Sequence, residues 1–126
     1  MTERRRTTSG SPFEASVGFC RALRVGDRVL VAGTAPIRPD GSVDPDPEAQ
    51  AARCLAIITA ALADLGASPA DVVRTRMFVT DAGVAEAVGR AHRAVFGDHP
   101  PASTMVVVAG LLDPRWVVEI EAEAEV

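Results

Sequence analysis

Lysine, asparagine and tyrosine are absent from the chain, and each absence removes chemistry. Without lysine there is no Schiff-base catalysis, no lysine-anchored pyridoxal phosphate and no lysine-dependent phosphate loop. Without asparagine there is no N-glycosylation sequon and no Cys-His-Asn triad. Without tyrosine there is no phenolic acid or base. Aromatic residues make up 4% of the chain, and every one of its 13 side-chain cations is an arginine. The two cysteines, Cys20 and Cys54, form no C-x-x-C pair, which suits buried thiols better than a disulfide framework. With His92 and His99 they match no zinc-finger or zinc-ribbon spacing, so neither a metal nor another cofactor is expected. The apolar stretch Ala56–Ile58 with Ala60–Ala63, broken by Thr59, is far short of a membrane span. Arg4-Arg5-Arg6 is followed by no apolar segment, so the N-terminus does not read as a secretory signal. A cytoplasmic protein without a membrane partner is expected.

What remains is an ordinary globular composition: 126 residues, 48% apolar and 24% charged, enough for one domain with its own core. The net charge of −4 argues against a nucleic-acid partner, since phosphate binding needs cationic surface. Residues 1–12 are polar and read as a flexible arm or an edge strand, and residues 13–126 as a single domain. Two alternating, valine-rich segments, Val17–Val25 and Arg28–Ala32, flank the turn pair Gly26-Asp27 and predict a β-hairpin. After a Pro/Gly/Asp loop, Asp46-Pro47 opens a helix with apolar positions at Ala51, Cys54, Leu55, Ile58, Ala61, Leu62 and Leu65, closed by Gly66. Val72–Val79 reads as a strand with Val73, Thr75, Met77 and Val79 on one side. A second helix, capped by Thr80 or Asp81, carries Val84, Ala87, Val88, Ala91, Ala94 and Val95. Thr104–Ala109 is a near-continuous apolar run and predicts a central strand. Trp116–Val126 alternates strictly, with Val118, Ile120, Ala122 and Ala124 against Glu119, Glu121, Glu123 and Glu125.

The predicted order is ββαβαββ, an α+β domain with two helices on one face of its sheet. The other face is expected to carry valines that no further element covers. Such a face favours an oligomer with its sheets turned inward.

Four segments then resemble a known family: Val31-Ala32-Gly33-Thr34-Ala35-Pro36, Val73–Asp81, Pro101-Ala102-Ser103-Thr104 and Val118-Glu119-Ile120-Glu121-Ala122. Together they resemble the Rid (YjgF) family, also called the liver perchloric-acid-soluble protein or L-PSP type, from about Val17 to Val126. The resemblance implies a chorismate-mutase-like fold and a homotrimer whose three sheets form a central barrel, with ligand clefts between subunits. It also implies hydrolysis of reactive enamines and imines such as 2-aminoacrylate. In such members an arginine after Pro-Ala holds the substrate carboxylate, and the glutamate of Val-Glu-Ile-Glu positions water or moves protons.

The chain departs from that pattern where a serine, Ser103, takes the arginine's place. A hydroxyl gives one neutral hydrogen bond where a guanidinium gives a bidentate, charge-assisted clamp. Phe19 and Cys20 stand where deaminating members tend to have tyrosine and serine, and Gly89 where some have a ligand-contacting asparagine. Glu119 is retained and is the candidate catalytic residue, against the alternative that it is one tooth of a solvated glutamate stripe. Phe19, Gly33, Ser103 and Thr104 are candidate substrate-binding residues, each with a plain strand or packing role as the alternative. Arg21 and Arg115 are candidate substitutes for the missing cation, or surface ion-pair partners. The functional expectation is an enamine/imine deaminase-like hydrolase acting on a small metabolite. Its rival is a non-catalytic small-molecule binding or sensing protein using the same clefts. Ribonuclease activity, also claimed for the wider family, fits poorly with the negative charge.

Overall fold

The computed structural model describes residues 2–126. The first residue of the predicted N-terminal arm lies outside that range. Arg4–Thr7 forms strand β1, antiparallel to β2 at Ala22–Val25. Of the two readings of that arm, flexible or edge strand, residues 4–7 take the second, and the flexible reading is corrected there. Side chains anchor this segment as well as its backbone. Arg5 Nη2 donates to the Leu65 carbonyl at 3.3 Å, and Thr7 Oγ1 to the Asp64 carboxylate at 2.9 Å.

A second correction follows directly. Val17 ends a short helix, α1 at Pro12–Val17, instead of beginning a strand. Ser11 caps it by accepting from Phe13 N, proline occupies the first turn, and Gly18 closes it at φ +92°. Strand β2 pairs with β3 (Arg28–Thr34) through the two-residue turn expected. There Gly26 adopts φ +60°, a conformation costly for residues with a Cβ.

Helix α2 spans Pro47–Asp64 and starts as its sequence dictates, with the Asp46 carboxylate accepting from Ala49 N at 2.9 Å. It buries Ala51, Cys54, Leu55, Ile58, Ala61 and Leu62. Strand β4 covers Val72–Val79. A register shift between Val72 and Arg74 buries Val72 and leaves Val73 44% exposed, so the predicted core face loses its first member. Asp81 caps a single 3₁₀ turn at Ala82–Val84, and helix α3 follows at Ala85–Phe96. Strands β5 (Ala102–Val107) and β6 (Val118–Glu125) complete one six-stranded sheet in the order β1-β2-β3-β6-β4-β5. All its pairings are antiparallel except β4 with β5. The predicted ββαβαββ order therefore gains a strand and a short helix at its N-terminus.

The apolar run in β5 does not make a central strand. β5 is a sheet edge, and Val106 and Val107 are 42% and 57% exposed. Helices α2 and α3 cover one face of the sheet, over Val29, Val31, Met77, Val79, Val118, Ile120 and Ala122. The opposite face is not the predicted valine surface, because the valines of β3 and most of those in β4 point into the helix layer. It carries instead a ladder of charges. Arg76 pairs with Glu121 at 3.1 Å and Glu123 at 3.3 Å, and Arg28 with Glu123 at 3.4 Å. Exposed pairs of this kind contribute about 0–1 kcal/mol each, so they mark a face more than they stabilise it. No helix among the described residues is long and apolar enough to cross a membrane.

Candidate active site

A cavity of about 380 Å³ lies between α1, the end of β3, the N-terminal half of α2 and the start of β6. The ladder between β3 and β6 shifts register between Val31 and Thr34, and Gly33 sits inside that shift. There Glu119 comes against the β3 backbone. A Cβ placed on Gly33 would stand 2.7 Å from Glu119 Oε2, so the missing side chain is what admits the carboxylate. Burial pushes the Glu119 carboxyl above its ordinary value of 4.5, against the lowering effect of the Arg21 charge. Among the described residues no hydrogen-bond donor or cation pairs with that carboxylate.

Arg21, on the segment just before β2, is 5% exposed and belongs to the wall of the same cavity. Its fork is committed within the chain. Nη1 donates to Gly33 O at 2.7 Å and Thr34 Oγ1 at 3.1 Å, while Nε and Nη2 donate to Glu14 Oε2 at 3.4 and 3.3 Å. The guanidinium also lies 5.3 Å from the centroid of Phe19. Glu14, buried on α1, is the counter-charge. Burial raises its carboxyl, but hydrogen bonds from Ser9 and Thr8 and the charge of Arg21 outweigh this and hold it below the ordinary value. Helix α1 thus locks Arg21, and Arg21 holds the Gly33–Thr34 backbone in place beside Glu119.

The remaining walls are largely apolar, with Phe13 and Trp116 in edge-to-face contact at 6.1 Å and Ile37, Ile57 and Leu112 around them. Four of the residues singled out from the sequence, Phe19, Arg21, Gly33 and Glu119, therefore converge on one cavity. Three others do not line it. Arg115 is exposed and bound to Asp113 at 2.8 Å and to Gly41 O at 3.3 Å. Thr104 is exposed on β5. Ser103, also on β5, shares a hydrogen bond of 2.8 Å with Thr75 Oγ1, which in turn meets His92 Nε2 at 2.8 Å. Burial lowers the His92 pKa, which favours the neutral imidazole in that chain of bonds. Cys20 and Cys54 are both free thiols. Among the described residues no cluster of three or more His, Cys, Asp and Glu side chains is placed to hold a metal ion.

Sequence reasoning missed Arg53 and Ile57, one turn apart on α2 and both in the cavity wall. Their i, i+4 spacing beside the buried Cys54 was the available signal. The Cys54 thiol is pushed up, by burial first and then by the charge of Glu119, with Arg53 and Arg21 opposing. Three charged groups of this region are thus felt at one buried atom.

This is a small α+β domain of the YjgF kind, with a glutamate from its last strand at the floor of an apolar cavity. The family described as Endoribonuclease L-PSP matches residues 9–126, and the chain belongs to that family, the Rid/YjgF proteins. It is 44% identical to Rv2704 of Mycobacterium tuberculosis, a YjgF/YER057c/UK114 family member. The two structures superpose with a TM-score of 0.91 over 98% of this chain and 100% of that one. It is 42% identical to uncharacterized protein SCO2049 of Streptomyces coelicolor over 95% of this chain and 90% of that protein. It is 33% identical to the 2-iminobutanoate/2-iminopropanoate deaminase of Escherichia coli K12, over 87% of this chain and 89% of that enzyme.

Proposed function

We propose that the protein is an enamine/imine hydrolase that converts a small imine and water into the corresponding carbonyl compound and ammonia. The observation that carries this reading is the unpaired, partly buried Glu119 carboxylate held against Gly33 at the floor of the cavity. As a carboxylate it accepts a proton from the water that adds to the C=N carbon. A C–O bond forms and the C=N π pair moves to nitrogen. That proton passes to the nitrogen to give a neutral carbinolamine. Glu119 then takes the hydroxyl proton as the C=O bond forms and delivers it to the nitrogen as the C–N bond breaks, so that ammonia leaves and the carboxylate is regenerated. The cycle consumes one water and needs no oxidant, reductant or metal. The deaminase name of the Escherichia coli relative supports the same reaction class. The direct test is release of ammonia and carbonyl product from freshly generated imines by the wild-type protein and by Glu119→Gln.

A second reading, a non-catalytic binding or sensing protein, is favoured by Ser103 and by the commitment of Arg21 to its own chain. Under it, ligands bind in the cavity and Glu119→Gln alters affinity without any turnover to lose.

Gly33 supplies an independent check on the catalytic reading. Gly33→Ala places a methyl group 2.7 Å from Glu119 Oε2, and the tip of a flexible side chain is what must move. The fold should survive, with thermal melting close to wild type. Turnover should fall roughly 10²-fold, the scale of a reacting group misplaced by about an ångström. Wild-type kcat in Gly33→Ala would separate Glu119's position from activity.

We further propose a homotrimer with sheets facing inward, supported by the exposed edge valines Val106 and Val107 and by exposed Leu30. Sedimentation should give about three times the 13.2 kDa chain mass, and a single-chain mass at micromolar concentration would overturn the assembly.

A further inference from the structure

Three arginines line the cavity, and two of them are spoken for. Arg21 is bound to Glu14, Gly33 and Thr34, as above. Arg38 is neutralised by Asp44 at 2.6 Å and also donates to Ser42 at 3.2 Å. Arg53 differs. Its Nε donates to Ile37 O at 2.9 Å, which orients the guanidinium, and among the described residues neither terminal nitrogen has a hydrogen-bond or ion-pair partner. It is half-buried, and among the described residues no carboxylate answers it.

The same cavity therefore holds an unanswered cation and, in Glu119, an unanswered carboxylate, and the two do not pair with each other. Trp116, in the same wall, has its Nε1–H buried without an acceptor among the described residues. A wall with spare donors at Arg53, a spare acceptor at Glu119 and aromatic and aliphatic surface between them fits a ligand with a matching division of charge. Such a ligand carries an anion at one end, a protonated or proton-accepting nitrogen at the other, and an apolar substituent.

We propose that Arg53 holds the carboxylate of an α-imino acid whose side chain is branched or larger, packed against Phe13 and Trp116, with the imine carbon toward Glu119. This rests on the reading of the cavity as an imine-hydrolase site and names its substrate class. The cation comes from the second turn of α2, not from the segment that follows Pro101-Ala102. The cavity of about 380 Å³ is in the range of roughly 300–1,000 Å³ typical of small-molecule sites, ample for a side chain beyond a three-carbon acid.

Binding of non-reacting product analogues tests the assignment apart from turnover. Calorimetric titration with 4-methyl-2-oxopentanoate should show binding to the wild type, tighter than for pyruvate. Arg53→Gln should weaken it roughly tenfold or more, the scale of a lost charge-assisted bond. Arg53→Lys, which keeps the charge without the fork, should fall between the two. The neutral ketone 4-methyl-2-pentanone should bind wild type and Arg53→Gln alike. Thermal melting of each variant reports that it is folded. Wild-type affinity for the keto acid in folded Arg53→Gln overturns the assignment, as does absence of keto-acid binding to the wild type. An equal loss of the neutral ketone also overturns it, because the effect would then be on cavity shape. Arg53-dependent binding in a protein that releases no ammonia from imines keeps the assignment and removes the hydrolase. Ammonia release with binding indifferent to Arg53 does the reverse.

Discussion

Glu119→Gln should lower imine turnover by about 10²–10⁴-fold, the usual contribution of a positioned general acid–base group, and leave the fold intact. Glutamine preserves the size and most of the hydrogen-bonding capacity of the side chain but holds no transferable proton. Stability should not suffer. Burial raises the Glu119 pKa, so the folded state disfavours the charged form. For a raised carboxyl the folded state gains on protonation, and that gain is lost as pH rises through the folded pKa. At neutral pH the neutral glutamine therefore relieves a penalty, and the melting temperature should stay level or rise. The same shift fixes the direction of the pH profile. With Glu119 acting as a base, turnover should rise with pH through a midpoint above 4.5, and that limb should disappear in Glu119→Gln. A folded Glu119→Gln protein with wild-type turnover would remove Glu119 as the acid–base group of the reaction.

Much of this arrangement was legible from residue order. The Asp46-Pro47 start of α2, the Gly26-Asp27 turn and the alternation of β6 each rest on a local rule, and each formed as read. Glu119 and Gly33 were singled out separately, through a resemblance to known proteins. The β3–β6 register shift that joins them is a pairing between distant segments, and no local pattern announces it. Helix α1 was obscured for a different reason. Six residues are too few to show a helical period, even though Ser11-Pro12 and Gly18 carry its start and stop signals. β5 was misread because an apolar run signals burial without saying which element or which chain provides it.

Charge partners were the least legible part. The sequence offers Arg21 and Arg115 as replacements for a missing cation and passes over Arg53, although nothing local sets Arg21 and Arg53 apart. The difference lies in what faces them. Ser9 and Thr8 donate to Glu14, Glu14 faces Arg21, and α1 brings these groups together. Arg53 meets a single backbone carbonyl. No spacing rule distinguishes a satisfied guanidinium from a free one.

That locked pair should carry the largest stability effect outside the hydrophobic core. Glu14 and Arg21 are each about 5% exposed and 3.3 Å apart, so Glu14→Ala leaves a buried guanidinium without the carboxylate it is bonded to. Removing one member of a buried ion pair typically costs about 3–5 kcal/mol. For a domain of this size that corresponds to a fall in melting temperature on the order of 10–20 °C. Replacing both residues, as Glu14→Leu with Arg21→Met, should cost less than the sum of the single changes, because the stranded charge is gone. The pH dependence carries a definite sign. Glu14 has a lowered folded pKa, so its contribution is complete above its ordinary value of 4.5 and is lost as pH falls through the folded value. The melting-temperature gap between wild type and Glu14→Ala should therefore be wide at neutral pH and narrow only in acid below that range. A gap that stays constant down to the acid limit would mean that α1 is held by packing and not by the Arg21 charge. In that case Arg21's fork would no longer explain how Gly33 is kept in place beside Glu119.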